Sequence, residues 1–354
     1  MSKWKEYQLG DLITFQRGHD LPKTKMQGGI YPVVGSNGII GYHNEYTTEA
    51  PSITIGRSGN VGKPFLYNGK TWSHNTSLYI KEYKNVDPIF IYYYLQTLDL
   101  GNYAGGSAVP TLNRNHIHTL NVSVPVAIEE QKQIASILSL LDDKIKLNTA
   151  INENLEQQAQ AIYQSMFIST HHDTDRKGLL SELITVKYGK DHKKLDDGIY
   201  PVYGSGGIMR YVEKPIYEKE SVLIPRKGSL NNVMYVDEPF WSVDTMFYTE
   251  MKMPNVAKFV FHFVRSKDLA SLNAGSAVPS MTTDILNSME VRIPSAERLA
   301  EFEELVAPLY RAIKDNIRQS ATLATLRDTL LPKLMNGEID VSQVRIYAAK
   351  FSFK

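Results

Sequence analysis

The chain contains itself twice. Gly29-Ile30-Tyr31-Pro32-Val33-Val34-Gly35-Ser36 returns as Gly198-Ile199-Tyr200-Pro201-Val202-Tyr203-Gly204-Ser205. Trp72-Ser73 returns as Trp241-Ser242, and Gly106-Ser107-Ala108-Val109-Pro110 as Gly275-Ser276-Ala277-Val278-Pro279, all at one offset of 169 residues. An offset held constant over that span marks a duplicated domain rather than chance similarity. The openings match too: Leu9-Gly10-Asp11-Leu12-Ile13-Thr14 corresponds to Leu180-Ser181-Glu182-Leu183-Ile184-Thr185 at an offset of 171, so the second copy is two residues shorter before Gly198. At 354 residues the chain is long enough for two or three domains with cores of their own.

Within each copy, short β-rich runs are punctuated by Gly, Asn and Pro, as strands and turns require. They are Ser52-Ile53-Thr54-Ile55 and Thr76-Ser77-Leu78-Tyr79-Ile80 in the first, and Ser221-Val222-Leu223-Ile224 and Met246-Phe247-Tyr248-Thr249 in the second. Residues 88–95 and 256–264 predict one helix per copy, buried on one side, and Val122-Ser123-Val124 and Val291-Arg292-Ile293 predict the strands that close each globule.

After Pro125 the apolar period changes from two to three and a half. Ile134, Leu138, Leu141, Ile145, Asn148, Asn152, Leu155, Ala159, Ile162 and Met166 step alternately by four and three, an uninterrupted heptad seam. Phe302, Val306, Leu309, Ile313, Asn316, Ser320, Leu323, Arg327, Leu330 and Leu334 repeat it at an offset of 168. Helices of about 40 residues would each run about 60 Å at a rise of 1.5 Å per residue. Both seams turn polar at mid-length, and polar core positions fix register at a cost in stability. An antiparallel pairing brings Asn148 to Ser320 and Asn152 to Asn316, polar to polar. A parallel pairing aligns the same layers, but a whole globule separates the two helices along the chain, which favours antiparallel. The alternative is two independent helices, each packed on its own globule. The expected fold is α+β: two pseudo-repeated mixed α/β globules separated by two long antiparallel helices in a coiled coil. Its expected boundaries are 1–127, 128–168, 169–295 and 296–336, with a tail at 337–354.

The sequence offers no catalytic constellation. Cysteine is absent, excluding disulfides and thiolate metal sites. Gly56-Arg57-Ser58-Gly59-Asn60-Val61-Gly62-Lys63 resembles a phosphate loop but carries Arg57 at a required glycine and Pro64 where Ser or Thr is needed. Glu250 and Lys252, with Asp237 or Asp244 upstream, form a loose nuclease-like pattern that the first copy does not share. His171-His172 lies in a polar linker without ligand spacing, and His74 is replaced by Val243 in the second copy. No Pro-Pro dipeptide occurs, so the Asn/Asp-Pro-Pro-aromatic motif of amino-methyltransferases is missing, as is a Rossmann glycine loop. No apolar run is long enough for a bilayer and no signal-peptide pattern precedes the first copy, so the expected setting is cytoplasmic, without membrane.

Net charge is only +1, but residues 1–127 carry +3 and residues 128–168 carry −3. That distribution suits a DNA-facing globule on an acidic stalk, and the near-neutral total suggests weak DNA binding by the chain alone. Arg57 and Arg226 each follow a β run and open a Gly/Ser/Asn loop, where a guanidinium could fork onto guanine or phosphate. A structural arginine paired with a carboxylate is the competing role. Their neighbours Ser58, Lys63, Lys227 and Asn231 are further candidates, as are Ser107 and Ser276 in the Gly-Ser-Ala-Val-Pro loops and Ser36, Asn37 and Ser205 in the Gly-Ser turns. Copies that read different half-sites should differ where they touch bases. The divergent stretches are 17–27 against 188–196, 60–70 against 229–238, and 112–118 against 281–287; Asn113, Arg114 and His116 lie in the last.

These residues resemble the DNA-specificity subunit of a type I restriction-modification system over nearly the whole length. The resemblance is carried by Leu9-Gly10-Asp11, the two Tyr-Pro-Val-x-Gly-Ser segments and the two Gly-Ser-Ala-Val-Pro loops. It is carried further by Pro125-Val126-Ala127-Ile128-Glu129-Glu130-Gln131-Lys132-Gln133 and by Leu330-Leu331-Pro332-Lys333-Leu334-Met335-Asn336-Gly337-Glu338-Ile339. It implies two target-recognition domains, each reading half of a split, asymmetric sequence in double-stranded DNA, and helices that set the gap. It also implies two docked DNA methyltransferase subunits, which would hold the S-adenosylmethionine, and restriction subunits that could join them; the chain itself would need no cofactor and no metal. The second helix begins Pro294-Ser295-Ala296-Glu297-Arg298, without the Glu-Glu-Gln-Lys of the first, so the two ends would dock their partners unequally. A free-standing two-domain DNA-binding regulator and an unrecognised nuclease are the rival readings.

Overall fold

The computed structural model describes residues 3–106, 110–169, 175–272 and 280–341. The chain divides into two compact units, Met1–Asn148 with Arg318–Lys354, and Thr149–Ile317. Each long helix therefore gives part of its length to each unit.

In unit 1 a four-stranded antiparallel sheet runs in the order Ile13–Arg17, Ser77–Tyr83, Ser52–Gly56, Pro64–Tyr67. A three-stranded sheet runs Gly38–His43, Tyr31–Gly35, Trp72–Ser73, the last pair parallel. Unit 2 repeats both orders: Ile184–Tyr188, Met246–Met251, Ser221–Pro225, Met234–Val236, and Gly207–Val212, Asp197–Gly204, Trp241–Ser242. The expected closing strands are present, and each pairs with the first strand of its own globule: Trp4–Gln8 with Asn121–Pro125, and Arg176–Leu179 with Glu290–Ile293. Sequence reading did not anticipate those opening strands, whose alternation is too short and too polar to stand out.

The expected helix of the first copy spans Pro88–Leu95. Pro88 is pre-set for the first turn, and the Asp87 carboxylate accepts from the amides of Ile89 and Phe90 at 3.0 and 2.9 Å. It is not buried on one side only, as its sequence suggested: no residue of it is exposed. The helix is covered both by its own globule and by the first long helix, so an apolar run without periodicity suits it. In the second copy the helix is Ala257–Arg265, buried except at Arg265. Phe15, Ile53, Ile55, Leu78, Phe90 and Ile91 fill the core of unit 1 together with Ile134 and Leu138 of the first long helix and Leu334 and Met335 of the second. In unit 2 Phe247, Phe259 and Val260 pack with Tyr163, Phe302 and Val306. Each such side chain contributes about 1.5–3 kcal/mol by leaving water.

The first long helix is α-helical over Ile128–Tyr163, about 54 Å at 1.5 Å per residue, and the second over Ala296–Met335. Every seam position named above is buried or half-buried. The uninterrupted seam expected to Met166 ends differently: Gln164–Ser169 is a π-helical turn. That wider turn lays Phe167 against Phe259 and Phe302, at ring separations of 4.9 and 5.2 Å. At mid-length the polar layers meet as the antiparallel register required. In unit 1 the Asn148 amide donates to Ser320 Oγ at 3.1 Å and to Gln319 Oε1 at 2.9 Å. In unit 2 Asn316 donates to Asn152 Oδ1 at 2.8 Å, and Asn152 to the Ile313 carbonyl at 3.3 Å. These bonds within each unit exclude two helices packed independently.

A polar junction fastens each globule to both helices. In unit 1 the Tyr93 hydroxyl donates to Asp142 on the first helix at 2.6 Å, and Arg327 on the second donates to the same carboxylate at 2.6 Å. In unit 2 the corresponding residue of the globule is His262. Its Nδ1 lies 2.7 Å from Gln160 Oε1 on the first helix and its Nε2 3.0 Å from the Tyr310 hydroxyl on the second. An amide oxygen only accepts, so Nδ1 carries the proton and Nε2 accepts from Tyr310. Desolvation, aided by Arg265, pulls the pKa of His262 from 6.5 to about 4. Below about pH 6.5 the unfolded chain takes up a proton that the folded ring refuses until about pH 4. Stability is therefore whole above that interval and falls as pH descends through it, by up to about 3 kcal/mol. The melting temperature should drop more between pH 7.5 and 5 for the unaltered chain than for His262→Gln; parallel drops would show that His262 is not the group responsible.

Candidate nucleic-acid interface

The strand Ser52–Gly56 delivers Arg57 to the rim of unit 1. Its amide donates to the Thr76 carbonyl at 2.8 Å and its own carbonyl accepts from the Leu112 amide at 2.8 Å, so the backbone beneath the guanidinium is held on both sides. Beside it the strand Ile13–Arg17 ends in Gln16 and Arg17, and the helix Arg114–His118 begins under Asn113, which caps it by accepting from the Asn115 amide at 3.0 Å. Together these elements line a cleft of about 840 Å³ that includes Gln16, Arg17, Arg57, Asn113, Arg114 and His116.

The cleft is cationic for a physical reason. Among the described residues no carboxylate forms an ion pair with Arg57 or Arg114; Arg17 has Asp20 at 3.8 Å, a long and solvent-exposed pair. Partial burial and the neighbouring Arg17 both pull the Arg57 pKa below its ordinary value. An anion entering there would relieve that repulsion. The competing role for Arg57, a structural pair with a carboxylate, is not what the described residues form. At the end of the same short helix His118 Nε2 accepts from the Phe15 amide at 3.0 Å. Burial, then Arg114 and Lys84, lower its pKa, which keeps the ring neutral and able to accept.

Unit 2 has the same frame with different side chains on it. Arg226 donates its amide to the Thr245 carbonyl at 2.8 Å and accepts from the Met281 amide at 2.9 Å, as Arg57 does with Thr76 and Leu112. Its guanidinium sits 5.4 Å from the ring of Tyr188, which replaces Arg17, and reaches the Asp244 carbonyl at 3.3 Å. Thr282 takes the capping place of Asn113, accepting from the Ile285 amide at 3.3 Å. Thr283 and Ile285 stand where Arg114 and His116 do.

The remaining candidates fall in several places. Ser58 and Lys227 bridge to Thr111 and Ser280 beside their arginines. Ser36 is buried, its amide donating to Thr76 Oγ1 at 3.3 Å, while Asn37 next to it is exposed at the hairpin turn. The Ser205 carbonyl accepts from Asn232 at 2.8 Å. Lys63 lies in a separate hollow of unit 1, 5.7 Å from the Phe65 ring. Asn231 has both amide atoms engaged with the 268–270 turn, through Asp268 at 3.0 Å and the Ala270 amide at 3.1 Å. Ser107, Ser276 and the pair His171-His172 lie outside the described residues. Gln16 and Arg17 were not singled out from the sequence, although the alignment of Arg17 with Tyr188 marked a change of chemistry at one strand end.

The glycine pattern that mimics a phosphate loop has a packing cause. Gly62 has φ of 81° and passes so close to the Gly101 amide that a Cβ would overlap it. The nuclease-like groups are separately engaged: Glu250 with Lys187 at 3.5 Å, Lys252 with the Ser181 carbonyl at 2.6 Å and Asp237 with Lys314 at 2.5 Å. Among the described residues no group of three His, Cys, Asp or Glu side chains is arranged to hold a metal ion, and no helix is long and apolar enough to cross a membrane.

Residues 1–157 and 179–320 match the family model described as the type I restriction modification DNA specificity domain. The type I restriction enzyme MjaIX specificity subunit of Methanocaldococcus jannaschii is 24% identical over 302 residues, covering 72% of this chain and 70% of that protein. The MjaVIII specificity subunit of the same organism is 21% identical over 412 residues, covering 96% of this chain and 94% of its own length. The crystal structure of a type I restriction-modification S subunit from M. genitalium shares the fold, with a TM-score of 0.64 at 19% identity over 94% of this chain and 96% of that one. Matched over both of its copies, the chain belongs to the type I restriction-modification DNA specificity family, and its work is the recognition of DNA sequence.

Proposed function

We propose that this chain reads a bipartite, asymmetric target in double-stranded DNA, one half-site per unit, and carries two DNA methyltransferase subunits to it. The observation that supports this most directly is the shared backbone frame under Arg57 and Arg226 with different neighbours on it: Arg17, Asn113 and Arg114 in unit 1, Tyr188, Thr282 and Thr283 in unit 2. One frame used twice fits one task performed twice, and different side chains fit different base sequences. Arg57 and Arg226 would each fork onto a guanine edge or a phosphate. The adenine chemistry and its S-adenosylmethionine would reside on the methyltransferase subunits, and restriction subunits could join the same complex. The paired helices would hold the gap between half-sites constant.

Co-expression with a type I methyltransferase subunit, followed by mapping of modified adenines, tests this. A two-part motif that appears only with this chain present supports the reading; no new methylation from a complex that co-purifies defeats it. Arg57→Ala should weaken DNA binding by about 1–3 kcal/mol, about five- to 150-fold, and relax one half-site of the mapped motif, while Arg226→Ala relaxes the other. Equal loss at both half-sites from either variant would show that these arginines do not divide the target between them. Removing one heptad from each long helix should shorten the gap by about three base pairs, given a 1.5 Å rise per residue and about 3.4 Å per base pair. An unchanged gap would reject the helices as its ruler.

A further inference from the structure

The hairpin behind each Gly-Ser turn carries an apolar surface outside the arginine cleft. In unit 1 the strand Gly38–His43 is the outer strand of its sheet and, among the described residues, pairs with Tyr31–Gly35 alone. Large apolar side chains stand open along it: Ile39 is 50% exposed, Tyr42 52%, and Ile30 at its base 80%. In unit 2 the outer strand Gly207–Val212 presents Ile208 at 50%, Tyr211 at 50% and Ile199 at 79%. The backbone enforces this placement. Gly29 and Gly198 pass so close to the carbonyls of His43 and Val212 that a Cβ would overlap them, which sets the following isoleucine beside the end of the outer strand. Behind each turn Ile40 and Met209 lean over Gly35 and Gly204, and both are exposed.

Single exposed apolar residues are ordinary, but a contiguous row on a free strand edge marks an interface or an aggregation hazard. Here the row is the same in kind, place and degree of exposure in both units. At the cleft, by contrast, the copies have diverged, with Arg17 against Tyr188 and Arg114 against Thr283. The hairpins therefore suit something identical at the two units, whereas the surroundings of Arg57 and Arg226 suit something different. DNA backbone is a poor match for the hairpins. Residues 28–43 hold no Lys, Arg, Asp or Glu, and residues 197–212 hold only Asp197 and Arg210, paired with each other at 2.6 Å. The electrostatic affinity for phosphate comes from cations, which both hairpins lack or have neutralised. A neutral row of Ile, Tyr and Met on an outer strand suits an apolar protein surface.

We infer that each hairpin docks one methyltransferase subunit, with Ile39 and Tyr42 in unit 1 and Ile208 and Tyr211 in unit 2 meeting the same patch of two identical partners. This rests on the reading above that two such subunits bind.

The test uses the full chain with its co-expressed methyltransferase subunit, and reads stoichiometry by native mass spectrometry and affinity by titration. The double variants Ile39→Lys/Tyr42→Lys and Ile208→Lys/Tyr211→Lys should each bind one methyltransferase instead of two. The quadruple variant should lose more than tenfold in affinity at both places, with an unchanged melting temperature showing that it folds. If the unaltered chain binds no methyltransferase, the functional reading falls and this inference with it. If the unaltered chain binds two and the quadruple variant binds two equally well, the inference alone is wrong. Loss of DNA affinity by the quadruple variant in a complex that still holds two methyltransferases would overturn it in favour of a DNA contact. A dimer of the isolated chain that the substitutions dissociate, with methyltransferase binding unchanged, would overturn it in favour of a second copy.

Discussion

The polar junctions at Asp142 and His262 are what make helices and globules single bodies. A heptad seam alone would hold two helices together, and an apolar globule would sit against them in many orientations of similar energy. Tyr93, Asp142 and Arg327 meet within 2.6 Å contacts that only one orientation allows. His262 with Gln160 and Tyr310 does the same in the other unit. Leaving any of these groups buried without its partner costs far more than the net gain from forming the contact. The junction therefore acts chiefly by penalising every other arrangement. That it is built from a carboxylate and a guanidinium in one unit and from a neutral imidazole in the other shows that geometry, rather than a particular chemistry, is what the position demands.

The clefts follow a similar economy. The backbone beneath Arg57 and Arg226 is tied down by the same two hydrogen bonds in both units, while the side chains around each arginine are free to change. Exposed and half-exposed residues at a strand end and a helix start can be exchanged at little cost to folding, because the core lies behind them. Arg17 or Arg114 can thus be exchanged without disturbing Phe15 or Ile117, which are buried nearby in the chain.

Much of the architecture was legible because it is periodic. The duplication, the heptad seams and the polar layers at Asn148 and Asn152 are patterns of spacing, and spacing survives into structure. The helix Pro88–Leu95 was legible from its apolar run, but its cover by both globule and long helix was not, since no pattern within a segment reports how many neighbours cover it. The cleft was half legible. Arg57 and Arg226 stand out by repetition, whereas Gln16 and Arg17 join Arg57 only through strand pairing across some 60 residues of chain. The departure at the start of the second long helix has a structural side that the sequence could not disclose. Gln131 is almost wholly buried, accepting from the Asp87 amide and donating to the Pro125 carbonyl at 2.8 Å each, and in unit 2 the buried Leu299 takes its place. Near it Arg298 instead grips Asp175 and the Met166 carbonyl.

The division of the long helices between the units bears on the order in which the nascent chain can mature. Unit 2 is one continuous stretch, Thr149–Ile317, while unit 1 needs Arg318 onwards to complete its core, including Leu334, Met335 and Val341. Domains usually mature in the order they leave the ribosome. Here the first globule synthesised must wait, its half of the first long helix unpaired, until the whole of the second has emerged. The residues of unit 2 are thus all made before unit 1 can close, which it does when residues 318–341 return to a surface made some two hundred residues earlier.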